Sequence, residues 1–118
     1  MTRAFIRLPE FEKQAKHLGL SEYDIMNIED ILLTNPDIGD VIQGTGGMRK
    51  FRIALTDTNK GKRGGARIIY IDFVYYKIIY FITAYSKSEM ENLSQAERND
   101  FKNLTKILES ELKKRKKQ

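Results

Sequence analysis

Ala66-Arg67-Ile68-Ile69-Tyr70-Ile71-Asp72-Phe73 and, three residues later, Lys77-Ile78-Ile79-Tyr80-Phe81-Ile82-Thr83-Ala84-Tyr85 decide the fold. Both runs are dense in Ile, Tyr and Phe and bounded by turn residues, which is strand composition. The few residues around Tyr75 cannot carry a parallel crossover, so the two strands are expected to pair antiparallel. Working upstream, Met48–Leu55 has the same period of two and gives a third strand. Thr56–Gly65, rich in lysine and glycine, joins it to the second and reads as a mobile loop. Alternation puts Lys50 and Arg52 on one face, with Phe51 and Ile53 on the other. Arg67 shares a face with Ile69, and Tyr85 shares one with Lys87. If the strands are neighbours, Lys50, Arg52, Arg67, Tyr85 and Lys87 can converge on one patch, subject to a register that one sequence does not fix.

Outside this region the signals are mainly helical. Residues 2–7 read as a short strand around Phe5. Pro9 suits a first helical position, and Phe11, Ala15 and Leu18 follow on one face before Gly19 stops the helix. Ser21 and Asp24 mark the start of a second helix with Ile25, Ile28 and Leu32 as its apolar face, ended by Asn35-Pro36. Pro36 to Gly47 is expected to be a loop. Ser94 and Glu97 open a long C-terminal helix whose Phe101, Leu104 and Leu108 share a face. The order β-α-α-β-β-β-α predicts an α+β domain: a helical hairpin and a C-terminal helix packed on a small, mainly antiparallel sheet.

A chain of 118 residues supports one core, assigned to residues 1–112 with a basic tail at 113–118. The net charge of +5 is unevenly spread. Gly44–Arg67 holds seven Lys/Arg and one acid, and Lys113–Lys117 is wholly basic, so the remainder is net acidic. Such blocks suggest local anion binding, although the tail also suits the negative end of a helix dipole. No cysteine is present, so disulfides and thiolate metal sites are excluded. His17 is the only histidine and lies late in a helix, which suits a surface role better than catalysis. Gly44-Thr45-Gly46-Gly47 does not fit a mononucleotide loop. Asp37 and Asp40 form no magnesium-like cluster. No metal or cofactor is expected. The arginines of Met1–Arg7 break any signal-like run, and the apolar stretches are too short to span a membrane, so a cytoplasmic protein is expected.

Cations with an aromatic ring suit a flexible polynucleotide: charges meet phosphates, and a base stacks on the ring. RNA also carries its own nucleophile. A protein need only align the 2′-hydroxyl, accept its proton, neutralise the phosphorane and assist the leaving 5′-oxygen. A lysine crowded by cations can act as the base, and arginine suits charge stabilisation.

The stretches Gly39–Arg52, Gly61–Tyr70 and Tyr85–Glu89 resemble the RelE/ParE superfamily of toxin–antitoxin toxins, in particular its HigB-like branch. The resemblance extends over roughly residues 1–112. It implies a ribosome-dependent mRNA endonuclease that cuts translated mRNA and inhibits translation. It also implies a cognate antitoxin, expected to be a HigA-like helix-turn-helix protein through which alone DNA would be contacted. By position, Lys50 and Arg52 correspond to the family's basic pair on the strand after the glycine loop. Arg67 corresponds to its phosphate-stabilising arginine and Lys87 to the basic residue after the last strand. The base-stacking tyrosine of the family's C-terminal segment has no counterpart around residues 91–96, which leaves Tyr85 as the nearest aromatic. Arg49, Lys60, Lys62 and Arg63 are expected to bind RNA backbone. Two other readings stand beside this one: a gyrase-poisoning toxin of the ParE type, and a non-catalytic RNA- or ribosome-binding module.

Overall fold

Ile68–Ile71 is buried on both sides, the condition under which a strand reads as an unbroken apolar run rather than an alternation. In the computed structural model, which describes residues 2–54, 65–86 and 92–116, this run lies in the middle of the sheet. Strands β1 (Ala4–Arg7), β2 (Asp40–Val41), β3 (Arg49–Ile53), β4 (Ala66–Phe73) and β5 (Ile78–Ser86) are ordered β1-β5-β4-β3-β2. β1 pairs parallel with β5, and every other neighbouring pair is antiparallel. One 3-10 turn at Val74–Tyr76 joins β4 to β5.

Helices α1 (Pro9–Leu18) and α2 (Glu22–Thr34) cover one face and α3 (Gln95–Lys116) the other. Each begins where local chemistry tells it to. Pro9 occupies the first turn of α1, and Gly19 ends that helix in the left-handed conformation that glycine adopts without strain. The Ser21 hydroxyl accepts from the Asp24 amide, and the Asp24 carboxylate accepts from the Ser21 amide, a complete capping box. Ser94 and Glu97 repeat it at the head of α3. Under the hairpin, Phe11, Ala15, Leu18, Ile25, Ile28 and Leu32 pack on Phe51, Ile68, Tyr70, Ile79 and Phe81. Under α3, Leu108 and Leu112 pack on Ile69, Ile71, Tyr80 and Ile82, with Met48 and Ile42 beside them. Each large apolar side chain so buried contributes about 1.5–3 kcal/mol.

The α+β architecture agrees with the sequence, and two details exceed it. The stretch expected as a loop contains the two-residue strand β2, so the order is β-α-α-β-β-β-β-α. Helix α3 continues to Lys116, so Lys113, Lys114 and Arg115 lie on its exposed last turns.

Ion pairs fasten the edge strand. Arg3 donates to both oxygens of Asp72 at 2.8 and 3.0 Å, with both side chains buried. This hydrogen bond raises the Arg3 pKa against the opposing effect of burial. Arg7 donates to Glu22 at 2.8 and 2.7 Å and to Glu29 at 3.0 Å, which ties β1 to α2. The same bonds hold the Glu22 carboxyl below its ordinary range.

Candidate active site

Directly paired residues of antiparallel strands project to the same face. Arg52 pairs with Arg67, and Arg67 pairs with Tyr85, so these three form one transverse row over β3, β4 and β5. The next row runs Asp40, Lys50, Ile69, Thr83 over β2 to β5. Both rows lie on the α3 side of the sheet, and their Asp40, Lys50, Arg52 and Arg67 border a cleft. The cleft has a volume of about 470 Å³ and is lined by Ile38, Asp40, Lys50, Phe51, Arg52 and Arg67. Lys50, Arg52 and Arg67 are therefore brought together.

A bulge decides the place of Tyr85. The register slips between Ile69 and Tyr70, where Ile69 faces Thr83 but Tyr70 faces Phe81. The extra residue on β5 is Ile82. Up to and including it, Tyr80 and Ile82 belong to the α3-side core; beyond it, Tyr85 does too, although strict alternation would send Tyr85 to the hairpin side with Ile79 and Phe81. One inserted residue thus turns Tyr85 to the face of Arg67. Tyr85 is only 5% exposed and sits within the apolar cluster under α3, so its ring does not lie open for a base. Arg67 is 8% exposed, while Arg52 is exposed and Lys50 half-buried.

The outer wall of the cleft is held by Tyr70 from the opposite face of the sheet. Its hydroxyl donates to the Pro36 carbonyl at 2.6 Å and accepts from the Gly39 amide at 3.0 Å. Burial raises the pKa of this phenol. Phe51 meets its ring edge-on at 5.6 Å. At Gly39 a Cβ would stand 3.0 Å from the Lys50 carbonyl and 3.0 Å from the Tyr70 ring, so any larger residue would push this segment a few tenths of an ångström away from β3. The result is that Asp40 follows directly at the cleft, opposite Lys50.

The glycine segment between β2 and β3 has a structural task. The Thr45 hydroxyl donates to the Ile42 carbonyl at 2.7 Å and accepts from the Met48 amide at 3.1 Å. From α3, the Thr105 hydroxyl reaches the Thr45 carbonyl at 2.8 Å and Arg98 donates to the Gln43 carbonyl at 2.6 Å. The turn is thereby docked on α3.

Arg49 differs from its neighbours. It falls on the hairpin side of β3, and its guanidinium donates to the Gly39 carbonyl at 2.7 Å and the Asp37 carbonyl at 3.3 Å. It braces the wall from behind rather than lining the cleft. Lys60, Lys62, Arg63 and Lys87 lie outside the described residues. His17 is in the last turn of α1, across the sheet from the cleft. Among the described residues no group of His, Asp or Glu is arranged to hold a metal ion, and no helix is long and apolar enough to cross a membrane.

Sequence reasoning missed Asp40 as a cleft residue and Ile38 as its neighbour. The only signal was their place beside the glycine that the close approach requires, and nothing local marks a two-residue strand.

Comparison with known proteins points the same way. A family model described as the RelE toxin of the RelE/RelB toxin-antitoxin system matches residues 4–117. Among solved structures, a double arginine-to-alanine mutant of the E. coli toxin RelE in the free state is similar at a TM-score of 0.56 with 15% identity. The match covers 77% of this chain and 90% of that one, and at this identity it shows a shared fold.

Proposed function

Because the chain belongs to the RelE toxin family, whose place in toxin–antitoxin pairs implies a cognate antitoxin as partner, we propose that it is an mRNA interferase, an endoribonuclease acting on ribosome-bound mRNA in the cytoplasm. The observation that carries this reading is the convergence of Lys50, Arg52 and Arg67 on one polar cleft of about 470 Å³. In the proposed reaction the RNA 2′-hydroxyl attacks the adjacent phosphorus and leaves a 2′,3′-cyclic phosphate and a 5′-hydroxyl.

Arg67, fixed in the middle of the sheet and nearly buried, is suited to the charge that grows on the phosphorane. A preorganised guanidinium in a partly dry site stabilises such charge far better than one in water. Arg52 is assigned to the neighbouring phosphate and Lys50 to proton delivery. Tyr85 is assigned to backing Arg67 in the row rather than to stacking on a base. Lys87 is retained as a candidate at the end of β5, and Lys60, Lys62 and Arg63 as contacts to ribosomal RNA. Within the family, the loop-and-strand motif favours the HigB-like branch and a HigA-like, helix-turn-helix antitoxin.

Expression of the wild-type chain should arrest growth and leave defined cuts in translated mRNA by primer extension. Arg67→Ala should abolish both, with the fold checked by circular dichroism. Full toxicity of that variant, or growth arrest with DNA damage signalling and intact mRNA, would refute the nuclease reading.

A further inference from the structure

Building on the nuclease reading, we infer that Asp40 is the general base. Lysine ammonium and arginine guanidinium groups are hydrogen-bond donors with no acceptor site. Of the side chains lining the cleft, Lys50, Arg52 and Arg67 are of this kind, and Ile38 and Phe51 are apolar. Among the described residues, Asp40 supplies the only side-chain oxygen in that lining. Its carboxylate is exposed on the short strand β2, directly across from Lys50, and no hydrogen bond or ion pair to a described residue occupies it. A carboxylate beside a phosphate site repels the substrate, so its presence among three cations calls for a task that needs an acceptor. Taking the proton of the attacking hydroxyl is such a task.

The balance closes within one cross-strand pair. The 2′-hydroxyl proton passes to the Asp40 carboxylate as the 2′-oxygen forms its bond to phosphorus. The bond from phosphorus to the 5′-oxygen breaks, and that oxygen takes a proton from the Lys50 ammonium. The products are the 2′,3′-cyclic phosphate and the 5′-hydroxyl. Asp40 is left as the acid and Lys50 as the amine, and transfer of one proton from the first to the second restores the starting state. The facing positions of the two residues on β2 and β3 suit this reset.

Single-turnover cleavage of ribosome-bound mRNA by the wild type, Asp40→Asn and Asp40→Glu tests the assignment. Binding is followed in parallel on mRNA carrying a 2′-O-methyl group at the cut position. Asp40→Asn should slow cleavage by about 100-fold or more, the usual range for loss of a general base. It should bind the methylated mRNA as well as the wild type or tighter, since a repulsive charge is gone. Asp40→Glu should keep more activity than Asp40→Asn. Cleavage by Asp40→Asn within about threefold of the wild type, whose own cutting depends on Arg67, would overturn this inference and leave the nuclease reading intact. Equal losses of binding and cleavage would also overturn it, by assigning Asp40 to docking. A wild type that leaves ribosome-bound mRNA uncut would remove both readings.

Discussion

Arg52 and Arg67 face each other directly across the β3–β4 ladder. Like charges in that relation oppose pairing by about 0.2–1 kcal/mol, and the strands align there nonetheless, because Phe51, Ile68 and Ile53 on the opposite face fix the register. The apolar core thus enforces a cationic juxtaposition that the charges alone would avoid. This is the arrangement expected where a polyanion is to be held.

Arg52→Thr should therefore raise stability while lowering activity. A β-branched residue suits the strand, and relief of the repulsion should add about 0.5 kcal/mol at low ionic strength. Because Arg52 is exposed, the gain should shrink as salt screens the pair. Urea unfolding at two salt concentrations, set beside mRNA cleavage, provides the check. A loss of stability would mean that Arg52 is held by contacts more favourable than the repulsion.

Tyr70→Phe should loosen the outer wall of the cleft. The change removes one hydroxyl and leaves the Pro36 carbonyl and the Gly39 amide without it, at a cost of about 1–3 kcal/mol. Its pH dependence has a definite sign. Burial raises the folded-state pKa of this phenol, so its contribution is fully present below the unfolded tyrosine value of about 10 and is lost as pH rises beyond it. Urea midpoints from pH 8 to 11 should fall less steeply for Tyr70→Phe than for the wild type. Identical slopes would count against the role of Tyr70 as the buried neutral pin.

The Arg3–Asp72 pair should respond asymmetrically to mutation. Removing one partner strands a charge in a buried position, so Asp72→Ala should destabilise by about 3–5 kcal/mol. Arg3→Met combined with Asp72→Leu should recover most of that loss, since apolar packing can replace a buried ion pair. A double-mutant cycle by thermal or urea unfolding measures both effects. Additive losses in the double variant would show that the two side chains act independently.

Much of the fold was legible because it is local. Phe11, Ala15 and Leu18 repeat at helical spacing and are the buried residues of α1. The Ser21–Asp24 and Ser94–Glu97 boxes fix helix starts within four residues of chain, and both form as read. Strands β4 and β5 were evident from their composition and from the short turn between them. The site was legible only in outline. Alternation placed Lys50 and Arg52 on one face, but Arg49 was grouped with the RNA-contacting residues although its guanidinium serves the Asp37–Gly39 backbone.

What the sequence determined by itself is therefore the set of elements, their caps and the apolar face of each, since these depend on residues within one turn or one strand of each other. Only the tertiary structure decided that β1 joins β5 in parallel, that a bulge at Ile82 turns Tyr85 to the Arg67 side, and that Asp40 pairs opposite Lys50 in the ladder. Those outcomes rest on contacts between segments far apart in the chain. A slip of one residue in register reverses every side chain of a strand, and local periodicity carries no record of which register the packed core selects.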